Sequence, residues 1–288
     1  MKNPEPESLA SMRKRPHWSF SRINSLVNYC SLAWAFKYVY KEQPLHTPAA
    51  LVFGGVFHST LEFYAGRKAE GIDVSVEEAA QLFADLLVDK AGHTDPPLKP
   101  ADSQSIDSMI ESGQKMIRAY IESRDPSERI IGVSVPFSVP LIDGAGQMLG
   151  KPLIGEFDLT VQRSGKYVIV DWKTSARKWP ESKAETDLQP TCYLYAHYRS
   201  TGNTAAEFRF DVVTKTKEPQ CHEYPTKRIA EDFARLGQLV RVLERTVAHE
   251  CFYPTDSSWE CKNCPYGLAC QAWHRDRARS FHHFELAA

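Results

Sequence analysis

Hydrophobic residues recur at helical spacing over residues 19–40, where Ser19 or Ser21 can cap the first turn, and this predicts one helix with Cys30 inside it. Pro44 and Pro48 separate it from a second predicted helix, residues 49–67. A third, residues 76–91, carries Ser75 and Glu78 at capping-box spacing. A proline-rich loop covers 92–100, and a fourth helix is expected over 103–123. The period then falls to two. Strands are predicted over 129–141, 152–162 and 166–173, a helix over 187–200, strands over 207–214 and 220–224, and a long amphipathic helix over 229–249. The tail from residue 250 is rich in Cys, Trp, His and Arg, and no internal repeat stands out. This order predicts an α/β fold in which a mixed sheet core is flanked by helices. It divides into a lead-in of residues 1–18 expected to be disordered, a helical part 19–125, a sheet core 126–249 and a Cys-rich segment 250–288.

Composition narrows the function little. The 288 residues are 42% hydrophobic and 25% charged, with a formal net charge of −1, so a nucleic-acid partner would need a local basic groove. No run of 18 apolar residues suggests a membrane span, and the polar start MKNPEPESLASMRKRP lacks the apolar region of a secretory signal. A cytoplasmic protein is therefore expected. The seven cysteines are an odd number, and Cys251, Cys261, Cys264 and Cys270 cluster near the end. Without an export signal, such clustering favours metal ligation over disulfides.

The segment GEFDLTVQRSGKYVIVDWKT is the most informative. Ser164-Gly165 suits a two-residue hairpin loop. That register sets Phe157 opposite Trp172, Leu159 opposite Val170 and Val161 opposite Val168, one wholly apolar face. The other face sets Asp158 opposite Asp171 and Glu156 opposite Lys173. A solvated polar face with a Glu156–Lys173 pair is one reading. Two directly opposed carboxylates count against it, because like charges there destabilise a sheet unless a cation sits between them. Lys173 shares their face and could reach a phosphate oxygen or a metal-bound water.

Asp158 followed by Asp171-Trp172-Lys173 at the end of an apolar strand resembles the signature of the PD-(D/E)XK nucleases, with Phe157-Asp158 where the family name has Pro-Asp. Two further features resemble the RecB-like branch. Gly54-Gly55-Val56-Phe57-His58 places an imidazole in a glycine-led helix, with Glu62 one turn on. Adjacent glycines cost helix stability and suggest close approach of another backbone or of a ligand. The resemblance makes His58 a metal ligand; the plainer reading pairs it with Glu62. Gln189 and Tyr193 share one face of the next helix, and the resemblance implies contact with DNA near the site. It also implies a restriction-endonuclease-like core. One or two Mg²⁺ or Mn²⁺ ions would be held by His58, Asp158, Asp171 and the carbonyl of Trp172. Lys173 would act on the attacking water.

Cys261-x2-Cys264-x5-Cys270 suits tetrahedral zinc or an iron–sulfur cluster, with a fourth ligand to be found among Cys251, His249, His274 and the remote Cys30. AddB-type nucleases and the CRISPR-adaptation nucleases are similar in having one early cysteine and a late triad that hold a 4Fe–4S cluster. That resemblance implies Cys30, Cys261, Cys264 and Cys270 as ligands, and leaves Cys192, Cys221 and Cys251 as ordinary residues. Taken together, the resemblances imply a metal-dependent exonuclease acting on single-stranded DNA ends in repair, recombination or DNA processing, with a helicase or integrase as possible protein partner. Arg177, Lys178 and Lys183, just past the catalytic strand, would supply local positive charge, and Trp179 a stacking surface. The alternatives are an inactive DNA-binding subunit or an iron–sulfur redox sensor.

Overall fold

Residues 7–100, 104–256 and 258–275 are described by a computed structural model; Ser103, residues 1–6 of the lead-in and residues 276–288 of the Cys-rich segment lie outside them. The chain opens with α1 (Leu9–Met12), α2 (Phe20–Asn24) and α3 (Ser31–Ala35). A two-residue strand β1 (Thr47–Pro48) leads into α4 (Ala49–Ala69) and α5 (Val76–Gly92); β2 (Leu98–Lys99) pairs with β1, and α6 (Ile106–Ser123) follows. The sheet is built from β3 (Arg129–Val139), β4 (Leu153–Arg163), β5 (Lys166–Ser175), β6 (Glu207–Thr214) and β7 (Cys221–Thr226), paired in that order. Between β5 and β6 run α7 (Lys183–Thr186) and α8 (Leu188–Thr201), and α9 (Ala230–Ala248) closes the core. Within this five-stranded sheet, among the described residues, β5–β6 is the parallel pair and its connection contains helices, as a parallel crossover requires; the short β1–β2 pair is parallel too and is joined through α4 and α5.

Both faces of the sheet are covered, which is why the central strands are apolar on both sides. Leu159, Val161, Val168, Val170 and Trp172 face α4, α5 and α6, sharing a core with Phe57, Phe83 and Ile117. Ile169, Phe208, Phe210 and Val212 face the other way, toward α2, α3, α8, α9 and the C-terminal residues Phe252 and Tyr266. The helical part therefore packs on both faces of the sheet, α4, α5 and α6 on one and α2 and α3 on the other.

Several local expectations change. The predicted helix over 19–40 is interrupted: π-helical turns cover Ser25–Tyr29 and Phe36–Tyr40, and Cys30 between them is extended, at φ −146° and ψ 114°. Cys30 thus caps α3 rather than lying inside a helix. The lead-in carries α1, and Trp18 is buried, pairing with Leu153 of β4 through Trp18 N–H to the Pro152 carbonyl (2.8 Å) and Ile154 N–H to the Trp18 carbonyl (2.8 Å). Ser75 does cap α5, its hydroxyl accepting from Glu78 N–H at 3.1 Å. A Cβ placed on Gly54 or Gly55 would meet no heavy atom within 4 Å, so close approach of another segment of the protein does not explain that pair.

Candidate active site

The β4–β5 hairpin turns through Ser164 (φ 50°) and Gly165 (φ 78°), the two positive φ values of a type I′ turn. The predicted register holds from Arg163↔Lys166 through Val161↔Val168 to Leu159↔Val170, and there the ladder stops. Beyond it β4 stays with β3 (Phe157↔Val135, Glu156↔Pro136), while β5 stays with β6 (Asp171↔Phe210, Lys173↔Val212). The strands fork at the two aspartates. Asp158 and Asp171 are therefore not a cross-strand pair, and neither are Phe157 and Trp172 or Glu156 and Lys173. In place of a ladder bond, the Trp172 N–H donates to the Asp158 carboxylate at 3.0 Å. The fork also carries Phe157 off the apolar face predicted for it. Its ring packs on Phe137 (4.7 Å) and Tyr193 (5.6 Å), in the core on the opposite side from Leu159.

The polar groups at the fork hold one another. His58, one helical turn along α4 from Gly54-Gly55, donates Nε2–H to the Trp172 carbonyl at 2.7 Å and sets Nδ1 3.3 Å from Asp158 Oδ2; Glu62 is not its partner. The Lys173 ammonium lies 2.5 Å from Asp171 Oδ2. Gln189, buried at the start of α8, donates its amide to Asp171 Oδ1. The Gln189 carboxamide is thus spent on a carboxylate, and Tyr193 is the part-exposed member of that face. Arg177 and Lys178 are exposed just past β5. Lys183 stacks over Trp179 at 4.7 Å, and Lys215, after β6, stacks over Phe53 of α4 at 4.1 Å.

Burial and charge drive the two carboxylates apart. Burial pushes Asp171 up to about 7, and the nearby Asp158 adds to this against the pull of Lys173. Burial is the strongest influence on Asp158 and opposes its ionisation, but the charge and hydrogen bond of His58, with Lys173 and the Trp172 N–H, together outweigh it and hold Asp158 below its usual range. The same pairing raises His58 despite its burial. One aspartate thus keeps its charge by pairing with an imidazolium, and the other is destabilised as an anion.

This donor set suits a hard divalent cation: two carboxylates, a backbone carbonyl and an imidazole. Asp171 Oδ2 has only the ion-pair contact of Lys173, without hydrogen-bond geometry, and the buried Gln189 Oε1 has no partner. Among the described residues no three His, Cys, Asp or Glu side chains converge as a ready cage; His58 pairs with Asp158 and Lys173 with Asp171. A pH dependence follows. An anion disfavoured by the fold makes the native state hold its proton longer than the unfolded chain. Stability from Asp171 is complete near pH 4 and is lost as pH rises toward about 7. In divalent-free buffer, the denaturation free energy of the protein minus that of Asp171→Asn should fall over that window; a flat difference refutes the assignment.

A family model described as the PD-(D/E)XK nuclease superfamily matches residues 17–271. The chain belongs to this superfamily. The match includes His58, Asp158, Asp171 and Lys173 and reaches Cys270. A crystal structure from Eubacterium rectale described as "Putative exonuclease" has a similar fold, with a TM-score of 0.52 at 16% identity over 91% of this chain and 93% of that one. A second crystal structure, described as SSO0001, has a TM-score of 0.35 at 12% identity over 88% of this chain and 93% of that one, a similarity that carries no argument. Among curated proteins, none matches the chain.

The cysteines of the sequence analysis come from both ends of the chain, and those ends meet. The Tyr253 carbonyl accepts from Leu32 N–H (3.2 Å) and Ser31 Oγ (2.9 Å), Leu45 N–H reaches the Pro265 carbonyl (2.9 Å), and Phe36 packs on Tyr266 (6.0 Å). Cys30, Cys264 and Cys270 border the same core. Burial raises the Cys270 thiol first, and Cys30, Cys264, Asp256 and Cys261 are near enough to add to the shift. Among the described residues no disulfide joins the thiols, and they do not converge on one point. Cys192 is buried in the core and Cys251 is exposed. His274 lies 3.6 Å from Asp256. Sequence reasoning missed Tyr120, whose hydroxyl holds the Trp172 indole, because a tyrosine at core spacing on a helix carries no mark of such a role.

Proposed function

We propose that this PD-(D/E)XK protein is a divalent-metal-dependent deoxyribonuclease of the RecB-like, AddB-type branch, acting from single-stranded DNA ends. One observation carries the reading: the strand fork gathers Asp158, Asp171, Lys173 and His58 about Trp172, with Asp158 on its N–H and His58 on its carbonyl. Asp158, Asp171, His58 and the Trp172 carbonyl would hold Mg²⁺ or Mn²⁺, which supplies charge opposite the phosphate and acidifies a bound water. Lys173 keeps an ammonium at the site, since the aspartates outweigh its burial and raise its pKa. Its Nζ orients the attacking water against the phosphate. Gln189 holds Asp171 Oδ1, which leaves Oδ2 to Lys173. Arg177 and Lys178 contact the phosphate backbone beyond the cut, and Tyr193 offers an aromatic face to a base. The helical part (19–125) supplies His58, the sheet part (126–249) the carboxylates, and the last segment, with Cys30, four thiolates for a 4Fe–4S cluster.

The test uses end-labelled linear single strands, covalently closed single-stranded circles and blunt duplex, each with Mg²⁺, with Mn²⁺ or with EDTA. Linear single strands should be degraded progressively with either ion and spared in EDTA, and circles should be cut far more slowly. Equal rates on circles and linear strands would make the protein an endonuclease with an open cleft. No cleavage of any DNA would refute the reading and leave a binding subunit.

A further inference from the structure

Trp172 sits between Asp171 and Lys173 and is fully buried. Its N–H is bonded to Asp158 and its carbonyl to His58. Its indole N–H donates to Tyr120 Oη at 2.7 Å. Tyr120 belongs to α6, a helix that supplies none of the groups in the proposed mechanism. The His58 and Tyr120 rings both meet the indole edge-on, with centroids 5.9 and 6.1 Å away and planes at 85° and 83°.

Tyr120 is itself fixed. Its oxygen accepts a second bond, from Arg124 Nη1 at 3.1 Å. Arg124 pairs with Glu128 (3.2 Å), Glu128 with Arg209 (3.3 Å), and Arg209 with Asp211 (2.7 Å). Asp211 lies opposite Trp172 in the β5–β6 ladder. The contacts close a ring: Trp172, Tyr120, Arg124, Glu128, Arg209, Asp211 and back through the sheet to Trp172. A cavity of about 230 Å³ borders it.

Such a ring is expensive. Buried ion networks lose hydration that their mutual attraction only partly returns, and apolar replacements are often neutral or stabilising. Core filling alone therefore does not explain it. It meets the Trp172 side chain through the Tyr120 hydroxyl and the Trp172 backbone through the β5–β6 ladder at Asp211. We infer that Tyr120 is a positioning residue: anchored by the Arg124–Glu128–Arg209–Asp211 chain, its hydroxyl sets the rotation of Trp172, and through the Trp172 peptide sets the carbonyl and the flanking Asp171 and Lys173. This rests on the nuclease reading of the site.

The experiment compares the full chain with Tyr120→Phe, Trp172→Phe, their double variant, and Ile117→Val as a stability control. Tyr120→Phe keeps the ring and removes only the hydroxyl. Ile117 is on the same helix, fully buried, and absent from the ring of contacts. On linear single strands, Tyr120→Phe should lower kcat about tenfold with KM unchanged, the scale seen when an outer partner of a site is lost. Trp172→Phe should match it, and the double variant should be no worse, because both cut the same bond. Ile117→Val should lose Tm yet keep kcat. The Mn²⁺-induced rise in Tm should also shrink in Tyr120→Phe, a readout independent of cleavage. Wild-type kcat in Tyr120→Phe, or a kcat loss in Ile117→Val that tracks its Tm, would overturn the inference. If Tyr120→Phe does not fold, Trp172→Phe decides in the same way. If the unaltered protein cleaves nothing, the nuclease reading fails, and the Mn²⁺ shift of the two proteins still tests the positioning.

Discussion

Asp171→Asn should abolish cleavage, by roughly 10³-fold or more, while DNA binding survives, and should leave thermal stability at pH 8 no lower than that of the unaltered protein. The kinetic half follows from position. Asp171 stands between Lys173 and Gln189 at the mouth of the strand fork, and one of its oxygens lacks a hydrogen-bond donor. An amide of the same shape keeps the packing and the bond to Gln189 but cannot hold a cation opposite phosphate. The stability half follows from electrostatics. Burial pushes this carboxyl up to about 7 even with an ammonium beside it, so above that pH the fold carries an unfavourable anion. Replacing the anion by a neutral amide relieves that cost and offsets the lost ion pair. Lys173→Met should show the same loss of cleavage, measured as kcat on linear single strands with saturating Mn²⁺. Cleavage at the normal rate by Asp171→Asn would sink the catalytic assignment. A steep loss of Tm without loss of cleavage would instead make Asp171 a structural anchor.

Much of this arrangement was legible before the fold was known, and the failures share one physical cause. Strand and helix positions set by local alternation agree within a few residues; β6 matches throughout and β4 is displaced by one. The hairpin register was correct near its turn, where chain connectivity dictates the pairing. It fails past Leu159, where β4 stays with β3 on its outer edge and β5 with β6 on its own, so the two strands splay apart, and like-charged aspartates repel. Nothing within the hairpin reports those outer partners. The helix over residues 19–40 was misread for a similar reason. Its aromatic spacing fits a helix, but Trp34, Phe36 and Tyr40 are also packed against Phe252 and Tyr266, more than 200 positions away. Gln189 is legible through the resemblance and through the face it shares with Tyr193, while only the fold shows that α8 turns it onto Asp171.

Cys30→Ser should remove bound iron from anaerobically purified protein and lower its Tm more than any single core truncation of the first helices. Cys30 caps α3 next to Ser31 and Leu32, which bond to Tyr253, and its Sγ accepts from Ala33 N–H at 3.4 Å. The noncovalent contacts therefore already bring the early cysteine to the late triad, and thiolate bonds to one cluster would lock them there. Bonds from Cys30 to Cys261 close a loop of roughly 230 residues, which on the chain-entropy account restrains the unfolded chain by about 5 kcal/mol. Burial and the neighbouring sulfurs raise the Cys270 thiol, so an uncharged, unbridged Cys270 is the favoured form until a metal takes its proton. If the proposed cluster is bound, serine would not replace the thiolate, so the loop would open and the iron would be lost. Iron and sulfide analysis with visible absorption measures the first effect, and differential scanning calorimetry under anaerobic conditions the second. Cys251→Ser, whose side chain is exposed, should change neither. One zinc and no iron in the unaltered protein would replace the cluster by a tetrahedral zinc site. Full iron content in Cys30→Ser would show that the triad finds its fourth ligand elsewhere, and the link between the two ends of the chain would then rest on the contacts of Tyr253 and Tyr266 alone.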